Sequence, residues 1–280
     1  MVEHRPWLTL LTHAILLLGC LIIAFPIYTT FVASTHSLDE ITSSFPILPG
    51  RQLIENYHQA LTVGSGAVVA SVGTMMMNSA IMAFGIAFGK IFISLLAAYA
   101  VVYFRFRFRM LFFWLIFITL MLPVEVRILP TYKVVADLNM LDSYSGLIFP
   151  LIASATATFL FRQFFMTVPD ELCEAVRIDG GGPIRFFFDI LLPMSRTSIA
   201  ALFVILFIYG WNQYLWPLMI TTDETYYTLL IGIKRMLDVG EGQADWQIIM
   251  ASTMLAMIPP VLVVIFMQKQ FVKGMTETEK

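Results

Sequence analysis

The sequence has too little charge for a protein surrounded by water. Only 13% of its 280 residues are charged, and 59% are hydrophobic, whereas average globular chains carry roughly 25% charged residues. So few charged side chains cannot cover a water-facing surface, which excludes an ordinary soluble fold. Because an open sheet edge cannot be satisfied in lipid, we predict an all-α polytopic membrane protein.

Other missing features exclude whole classes of function. With a net charge of −2, the chain lacks the basic excess that nucleic-acid binding requires. It has no G-x-x-x-x-G-K-[ST] loop, so it does not bind ATP through that motif. Its two cysteines, Cys20 and Cys173, lie in an apolar run and a charged loop, and neither a disulfide, a metal site nor a cofactor is expected.

Two further classes, an intramembrane enzyme and a channel, remain as alternatives without supporting residues. All four histidines precede residue 60, and no aspartate lies inside an apolar run, so no catalytic constellation falls within the membrane. No filter-like repeat or polar ring is visible either. We therefore predict a transport subunit rather than an enzyme.

Six apolar segments approach the 20 or so residues that a transmembrane helix needs. They are Leu8–Val32, a span within Met75–Phe104, Met110–Val124, Ser143–Phe161, Thr197–Ile220 and Trp246–Gln268. The third would rise only about 22 Å. Either Glu125 and Arg127 lie at the membrane interface, or Pro123 ends the helix. Three tryptophans near predicted span ends are expected at the membrane interface: Trp7, Trp216 and Trp246.

The distribution of basic residues predicts the orientation. With a cytoplasmic N-terminus, eleven lysines and arginines fall in inner segments and five in outer ones, and Lys90 lies within a span. The excess on one side places both termini in the cytoplasm. We predict a cytoplasmic N-terminus at 1–7, a transmembrane domain at 8–272 with a cytoplasmic loop at 167–193, and a cytoplasmic tail at 273–280.

The loop between the fourth and fifth spans is long and charged. Thr167 or Asp170 can cap a helix that begins at Pro169 or just after it. This helix should end at the glycines 180–182, where the chain can reverse. A second short helix is expected to open at Pro183 and to stop at Pro193. Such a protruding element is suited to docking into a partner.

This loop resembles the signature loop of the permeases of ABC importers. The matching residues, with Asp179 inside the same stretch, are Glu174, Ala175, Gly180, Ile190, Leu192 and Pro193; Val176 replaces the usual alanine. The resemblance implies a type I importer fold in the bacterial inner membrane. It also implies that these residues couple the permease to a separate dimer of ATP-binding subunits, beside a second permease subunit and a periplasmic solute-binding protein.

The resemblance covers almost the whole chain and lies in the carbohydrate-uptake, maltose-permease-like branch. The stretches that carry it include Ala97–Phe106, Leu141–Pro150 and Trp211–Leu218. Phe117–Thr131 and Ser154–Thr167 are similar to permeases that import sn-glycerol-3-phosphate. The similarity implies that the substrate is sn-glycerol-3-phosphate or a related glycerophosphodiester. A neutral sugar is the alternative.

Six residues are candidates for the solute pathway. Lys90 and Arg127, with Glu125, either lie along a polar pathway that favours an anion or are structural, through snorkelling or pairing. Trp211, Asn212 and Tyr214 suit the hydroxyls and apolar faces of a sugar-like solute, and they equally suit contacts between helices. Asn78 and Ser79 are expected to cap or pack at the outer end of the second span.

Overall fold

The computed structural model describes residues 6–66, 68–119, 122, 124–238 and 244–276. These residues form helices joined by short irregular segments, and no strand occurs among them. In chain order the helices are α1 Pro6–Ala33, α2 Leu38–Ser43, α3 Leu53–Thr62, α4 Val72–Tyr103, α5 Arg109–Ile118, α6 Val124–Asp137, α7 Tyr144–Ile148, α8 Ala155–Phe165, α9 Asp170–Ile178, α10 Pro183–Arg185, α11 Leu192–Met194, α12 Arg196–Trp211, α13 Leu215–Ile220, α14 Leu229–Leu237 and α15 Trp246–Thr276.

In the described part of the chain, three helices, α1, α4 and α15, are each long and apolar enough to cross a membrane. They confirm the first, second and sixth predicted spans. The second span is one unbroken helix, since α4 runs for 32 residues and contains Lys90. At 1.5 Å per residue its length is about 48 Å.

The fourth and fifth predicted spans are not continuous helices. A 3-10 turn at Phe149–Leu151 separates α7 from α8, and the two halves bend by 49°. Ser154 begins α8 by accepting a hydrogen bond from the Ala157 N–H at 3.2 Å. The fifth span divides at Asn212, where α12 ends and a short irregular segment leads to α13.

In the third predicted span, Met110–Val124, the described α-helix covers only the first part. Helix α5 stops after Ile118, and Pro123 lies outside the described residues. The Thr119 hydroxyl donates to the Ile116 carbonyl at 2.6 Å, which satisfies one of the last carbonyls of the helix. A side chain that bonds the backbone in this way favours termination. Among the described residues, five helices or bent pairs have membrane-spanning composition, the fifth being Pro183–Met194 with α12 across a 70° bend. Helix α5 is a further, shorter apolar helix.

The chain divides into two compact units. The first contains Met1–Thr74 and Gly232–Ile258, and the second contains Met75–Ile231 and Pro259–Lys280. In the first unit, buried Asn56 donates to the carbonyls of Ser34 and His36, both at 2.9 Å, and closes the connection after α1.

The second unit has a buried apolar cluster formed by α4, α6, α7 and α13. Its members are Met82, Ile86, Ile128, Val135, Leu147, Trp216 and Ile220. Trp216 was predicted at the membrane interface, and this is wrong. Its side chain is buried because the indole N–H finds a partner inside, the Gly146 carbonyl at 3.1 Å.

Candidate functional site

The predicted docking loop forms around helix α9. The helix begins at Asp170, as expected, with Asp170 and Glu171 in its first turn and Arg177 in its last. These charges complement the helix dipole. The predicted caps are wrong, since Pro169 holds the cap position and the Thr167 hydroxyl donates to the Phe164 carbonyl at 2.7 Å, at the end of α8.

The glycine bend after α9 is a Schellman motif. The Gly181 N–H donates to the Val176 carbonyl at 2.8 Å, and the Gly180 N–H donates to the Arg177 carbonyl at 3.1 Å. Gly180 has a φ of 73°, which favours glycine. A Cβ on Gly181 would lie 2.6 Å from Cγ1 of Val176, so this residue also needs to be small. The predicted chain reversal is confirmed.

The second loop helix does not stop at Pro193. It continues from α10 through a π-helical turn at Phe186–Leu191 into α11, which ends at Met194. A proline ring normally clashes with the carbonyl four residues earlier. The wider π turn directly before Pro193 relieves this clash, which is how the helix passes the proline.

The signature residues divide between two environments. Glu174, Ala175, Asp179 and Gly180 are exposed on α9 and its bend. The others, Ile190, Leu192 and Pro193, are half-buried on the second loop helix. The structure therefore presents the first group on an open surface and uses the second group for packing.

Two exposed isoleucines flank the bend and were not singled out as site residues from the sequence. Ile178 is 86% exposed and Ile184 is 75% exposed. The sequence signal was available for Ile178, because it lies off the stripe formed by Leu172 and Val176, which are four residues apart on the half-buried face. Isolated exposed apolar residues are common, but two at the tip of one protruding loop suit a partner surface.

Two tyrosines at one end of α4 hold the loop in place. The Tyr99 hydroxyl donates to the Pro183 carbonyl at 2.8 Å, and the Tyr103 hydroxyl donates to the Phe165 carbonyl at 3.2 Å. Their rings also contact Phe186, with centroids 6.5 Å from Tyr99 and 5.0 Å from Tyr103. In the sequence, both tyrosines lie within Ala97–Phe106, one of the stretches that carry the family resemblance.

A polar cleft of about 540 Å³ lies between α9 and the end of α4. Its lining includes Tyr103 and Arg105 on one side and Cys173, Glu174 and Arg177 on the other. Helix α9 is therefore not packed tightly against α4, whereas the second loop helix is.

Of the two basic residues predicted to lie on the pathway, Lys90 is the one enclosed by protein. It is 7% exposed, and its Nζ lies 3.7 Å from the centroid of the Tyr209 ring. A desolvated cation–π contact contributes about 2 kcal/mol or more. Arg127 lies on α6 with an exposed side chain, and it is close enough for its positive charge to repel that of Lys90. The side chain of Glu125 lies outside the described residues.

The other three candidates lie where α12 ends. Trp211 is buried and stacks on Phe207 with ring centroids 6.0 Å apart. Asn212 is exposed and closes α12 with its backbone N–H, and Tyr214 is half-buried at the start of α13. Of these three residues, Asn212 is the one whose side chain is exposed.

Polar contacts join the opposite end of α4 to an irregular segment before α14. Buried Asn78 donates to the Thr225 and Tyr227 carbonyls at 2.7 and 2.9 Å, and accepts from the Tyr144 hydroxyl at 2.7 Å. Ser79 accepts from the Leu229 N–H at 2.8 Å. Both residues pack at this helix end, as predicted. Across the described residues, no three histidine, cysteine or carboxylate side chains are grouped as metal ligands would be.

The chain is similar to known transport proteins over its full length. The sn-glycerol-3-phosphate transport system permease protein UgpE of Escherichia coli strain K12 is 56% identical over 281 residues, and that of Brucella melitensis biotype 1 is 58% identical over 282. The corresponding protein of Agrobacterium fabrum strain C58 is also 58% identical. Each alignment covers 100% of both chains.

A solved bacterial ABC transporter involved in the import of the acidic polysaccharide alginate has the same fold. One of its chains matches with a TM-score of 0.82 and 21% identity, covering 97% of this chain and 99% of that chain. Residues 90–277, more than half of the sequence, match the family described as binding-protein-dependent transport system inner membrane component. The chain therefore belongs to this family of membrane permease subunits and is a transport protein rather than an enzyme.

Proposed function

We propose that the chain imports sn-glycerol-3-phosphate, or a related glycerophosphodiester, as one permease subunit of an ATP-driven importer. The support is 56–58% identity over the full length to relatives that carry this substrate in their names. A dimer of ATP-binding subunits, a second permease subunit and a periplasmic binding protein would complete the complex. Both termini and the 167–193 loop would face the cytoplasm.

The observation that carries the role of the loop is its exposed tip. We propose that α9 and the glycine bend dock into the ATP-binding subunit, with Glu174, Ala175, Asp179 and Gly180 at the contact. Ile178 and Ile184 would lose their exposed apolar surface on docking. Fully burying an isoleucine contributes about 1.5–3 kcal/mol, so these two residues alone supply a substantial part of the contact.

Docking can be tested with Ile178→Glu and Ile184→Glu. Each change should weaken recovery of the ATP-binding subunit on affinity purification in mild detergent by about tenfold or more. Both positions are exposed, so thermal stability of the permease should stay the same. Ile54→Glu is the matched control, since Ile54 is 82% exposed and lies far from the loop in sequence. Unchanged recovery in both loop variants would contradict docking at this tip.

The substrate can be tested in proteoliposomes that contain the complete complex and the binding protein. Labelled sn-glycerol-3-phosphate should accumulate only with internal ATP and binding protein. An excess of unlabelled glycerophosphodiester should compete, and maltose should not. Accumulation of a neutral sugar instead would overturn the proposed substrate while leaving the transport role intact.

Lys90 and Arg127 are proposed as electrostatic aids for this anionic solute. Arginine binds phosphate oxygens through a planar fork, and lysine acts as a point charge. Lys90→Met and Arg127→Gln, tested separately and together, should then lower uptake in an assembled complex. Intact uptake in the double variant would contradict the electrostatic role, and the contact of Lys90 with Tyr209 would then be structural.

A further inference from the structure

Helix α4 is bonded at one end to the docking loop. The Tyr99 hydroxyl bonds the carbonyl of Pro183, the first residue of the second loop helix. The Tyr103 hydroxyl bonds the carbonyl of Phe165, the last residue of α8. These two anchor points lie on either side of α9 in the sequence. The cleft beside α9 leaves that helix without close packing on α4. A displacement of α9 would therefore reach α4 through the second loop helix, which contacts Tyr99 and Tyr103 by the Pro183 hydrogen bond and by the rings of Phe186 and Phe187.

The other end of α4 is bonded to the segment Thr221–Leu229. Asn78 and Ser79 make three hydrogen bonds to its backbone, at 2.7 to 2.9 Å. Asp142 fixes the start of the same segment, as its carboxylate accepts from the N–H groups of Thr222 and Asp223 at 2.6 and 2.9 Å. All of these residues lie within the second compact unit.

Between its two bonded ends α4 has no break. Tyr99 and Asn78 are 21 positions apart, so the two bonded ends are about 32 Å apart along the helix. Close packing further stiffens the middle, where a Cβ on Gly89 would clash with Cγ2 of Ile152. A continuous, packed helix moves as a body, so a shift at one end is felt at the other.

We propose that Tyr99 and Ser79 are positioning residues at the two ends of one rigid connection, through which α4 carries movement of the docking loop to the segment Thr221–Leu229. This inference rests on the proposed docking of the loop to an ATP-binding subunit. It assigns to α4 a mechanical role that is separate from solute binding. Tyr99 and Ser79 would act through hydrogen bonds that can be removed one at a time.

Tyr99→Phe tests the connection, since it removes the hydroxyl and keeps the ring. In proteoliposomes the number of ATP molecules hydrolysed per solute imported should rise about two- to tenfold, the effect of losing one hydrogen bond. A second readout is amide hydrogen exchange at Leu229 in the complete complex, before and after trapping with ATP and vanadate. Trapping should change this exchange in the wild type and change it less in Tyr99→Phe.

Tyr28→Phe is the matched control, because the Tyr28 hydroxyl also donates to a backbone carbonyl, that of Ile47 at 2.7 Å. It should leave both readouts unchanged.

Ser79→Ala should raise the ATP cost as Tyr99→Phe does, and the double variant should be no worse than either single variant if the two lie on one connection. Additive effects, or a wild-type response in Tyr99→Phe, would overturn the proposal.

The exchange readout needs no transported solute. If the wild-type complex assembles and responds to trapping but does not import sn-glycerol-3-phosphate, the proposed substrate fails and the α4 connection is still tested. If the ATP-binding subunit does not assemble with the wild type, the docking proposal fails, and the connection fails with it.

Discussion

Asp142 combines an uncommon backbone conformation with a stabilised negative charge. Its φ is 47°, in the left-handed region, which aspartate and asparagine tolerate better than most residues. Burial would raise the pKa of its carboxyl group, but hydrogen bonds from Asp223 and Thr222 outweigh burial and lower the pKa below its ordinary value of 3.8. The residue thereby fixes both its own turn and the segment that begins at Thr222.

Substitutions at Asp142 should separate these two contributions. Asp142→Asn keeps the backbone preference and loses the charge, with an expected cost of about 1 kcal/mol at this half-buried site. Asp142→Ala should cost about 1 kcal/mol more, because alanine is disfavoured at this φ. Thermal unfolding in detergent would measure both. Equal melting temperatures for the two variants would show that the backbone conformation does not matter.

The lowered pKa of Asp142 also predicts a pH dependence. A carboxyl group with a lowered pKa in the folded state stabilises the protein above its unfolded-state pKa, and this contribution is lost as the pH falls through the lowered value. The melting-temperature difference between wild type and Asp142→Asn should be constant from neutral pH down to about 4, and should shrink below that. A difference that already shrinks between pH 7 and 5 would contradict the assignment.

Among elements, the bend after α9 contains three adjacent glycines with three different requirements. Gly180 has open space around it and a positive φ, and Gly181 has no room for a Cβ. Gly182 has neither restriction, since its φ is −90° and nothing lies within 4 Å of its Cβ position. The bend can therefore be tested with an internal control.

Alanine substitutions at the three glycines should differ accordingly. Gly180→Ala should cost about 1 kcal/mol or more through strain, and Gly181→Ala should displace Val176, while Gly182→Ala should be neutral. Gly180→Val should be worse than Gly180→Ala because its side chain is β-branched. The measurement is recovery of the ATP-binding subunit together with import at matched expression. Loss of recovery in Gly182→Ala would show that the contact, rather than the bend, is sensitive here.

The elements were predictable where the local chain alone decides them. The glycines at 180–182 and the first turn of α9 gave the bend and the helix start. The π turn before Pro193 was not predictable, because it is a response to a proline inside a helix that packing keeps continuous. Likewise, the breaks at Ser154 and Asn212 depend on polar residues that end one helix segment or begin the next. A hydropathy average does not detect single polar residues of this kind.

For the whole molecule, the distribution of basic residues predicts the topology. Reporter fusions active in the cytoplasm should work after Lys273 and within Arg105–Arg109, and periplasmic reporters should work after Ser43 and Gly242. The basic excess on one side of the membrane is the physical reason. A periplasmic signal from a reporter within Asp170–Asp189 would contradict both the topology and the docking of the loop.

Composition and spacing predicted the membrane fold, most of the span positions and the loop, since these depend on long apolar runs and on a local motif. They could not predict the contacts that join distant segments. The bond from Tyr99 to Pro183 crosses 84 positions, and that from Asn78 to Tyr227 crosses 149. Such pairs depend on how helices pack, which neither residue type nor spacing specifies.

The early end of α5 has a consequence for its surroundings in the bilayer. Its ten residues rise about 15 Å, half of the roughly 30 Å hydrocarbon thickness. Inside the hydrocarbon a backbone amide has no water to bond, so a helix that ends there needs partners of its own. At Thr119 the backbone N–H donates to the carbonyls of Ile116 and Phe117, and the hydroxyl donates to that of Ile116. The donors at the end of α5 are therefore satisfied by the helix itself, without help from water.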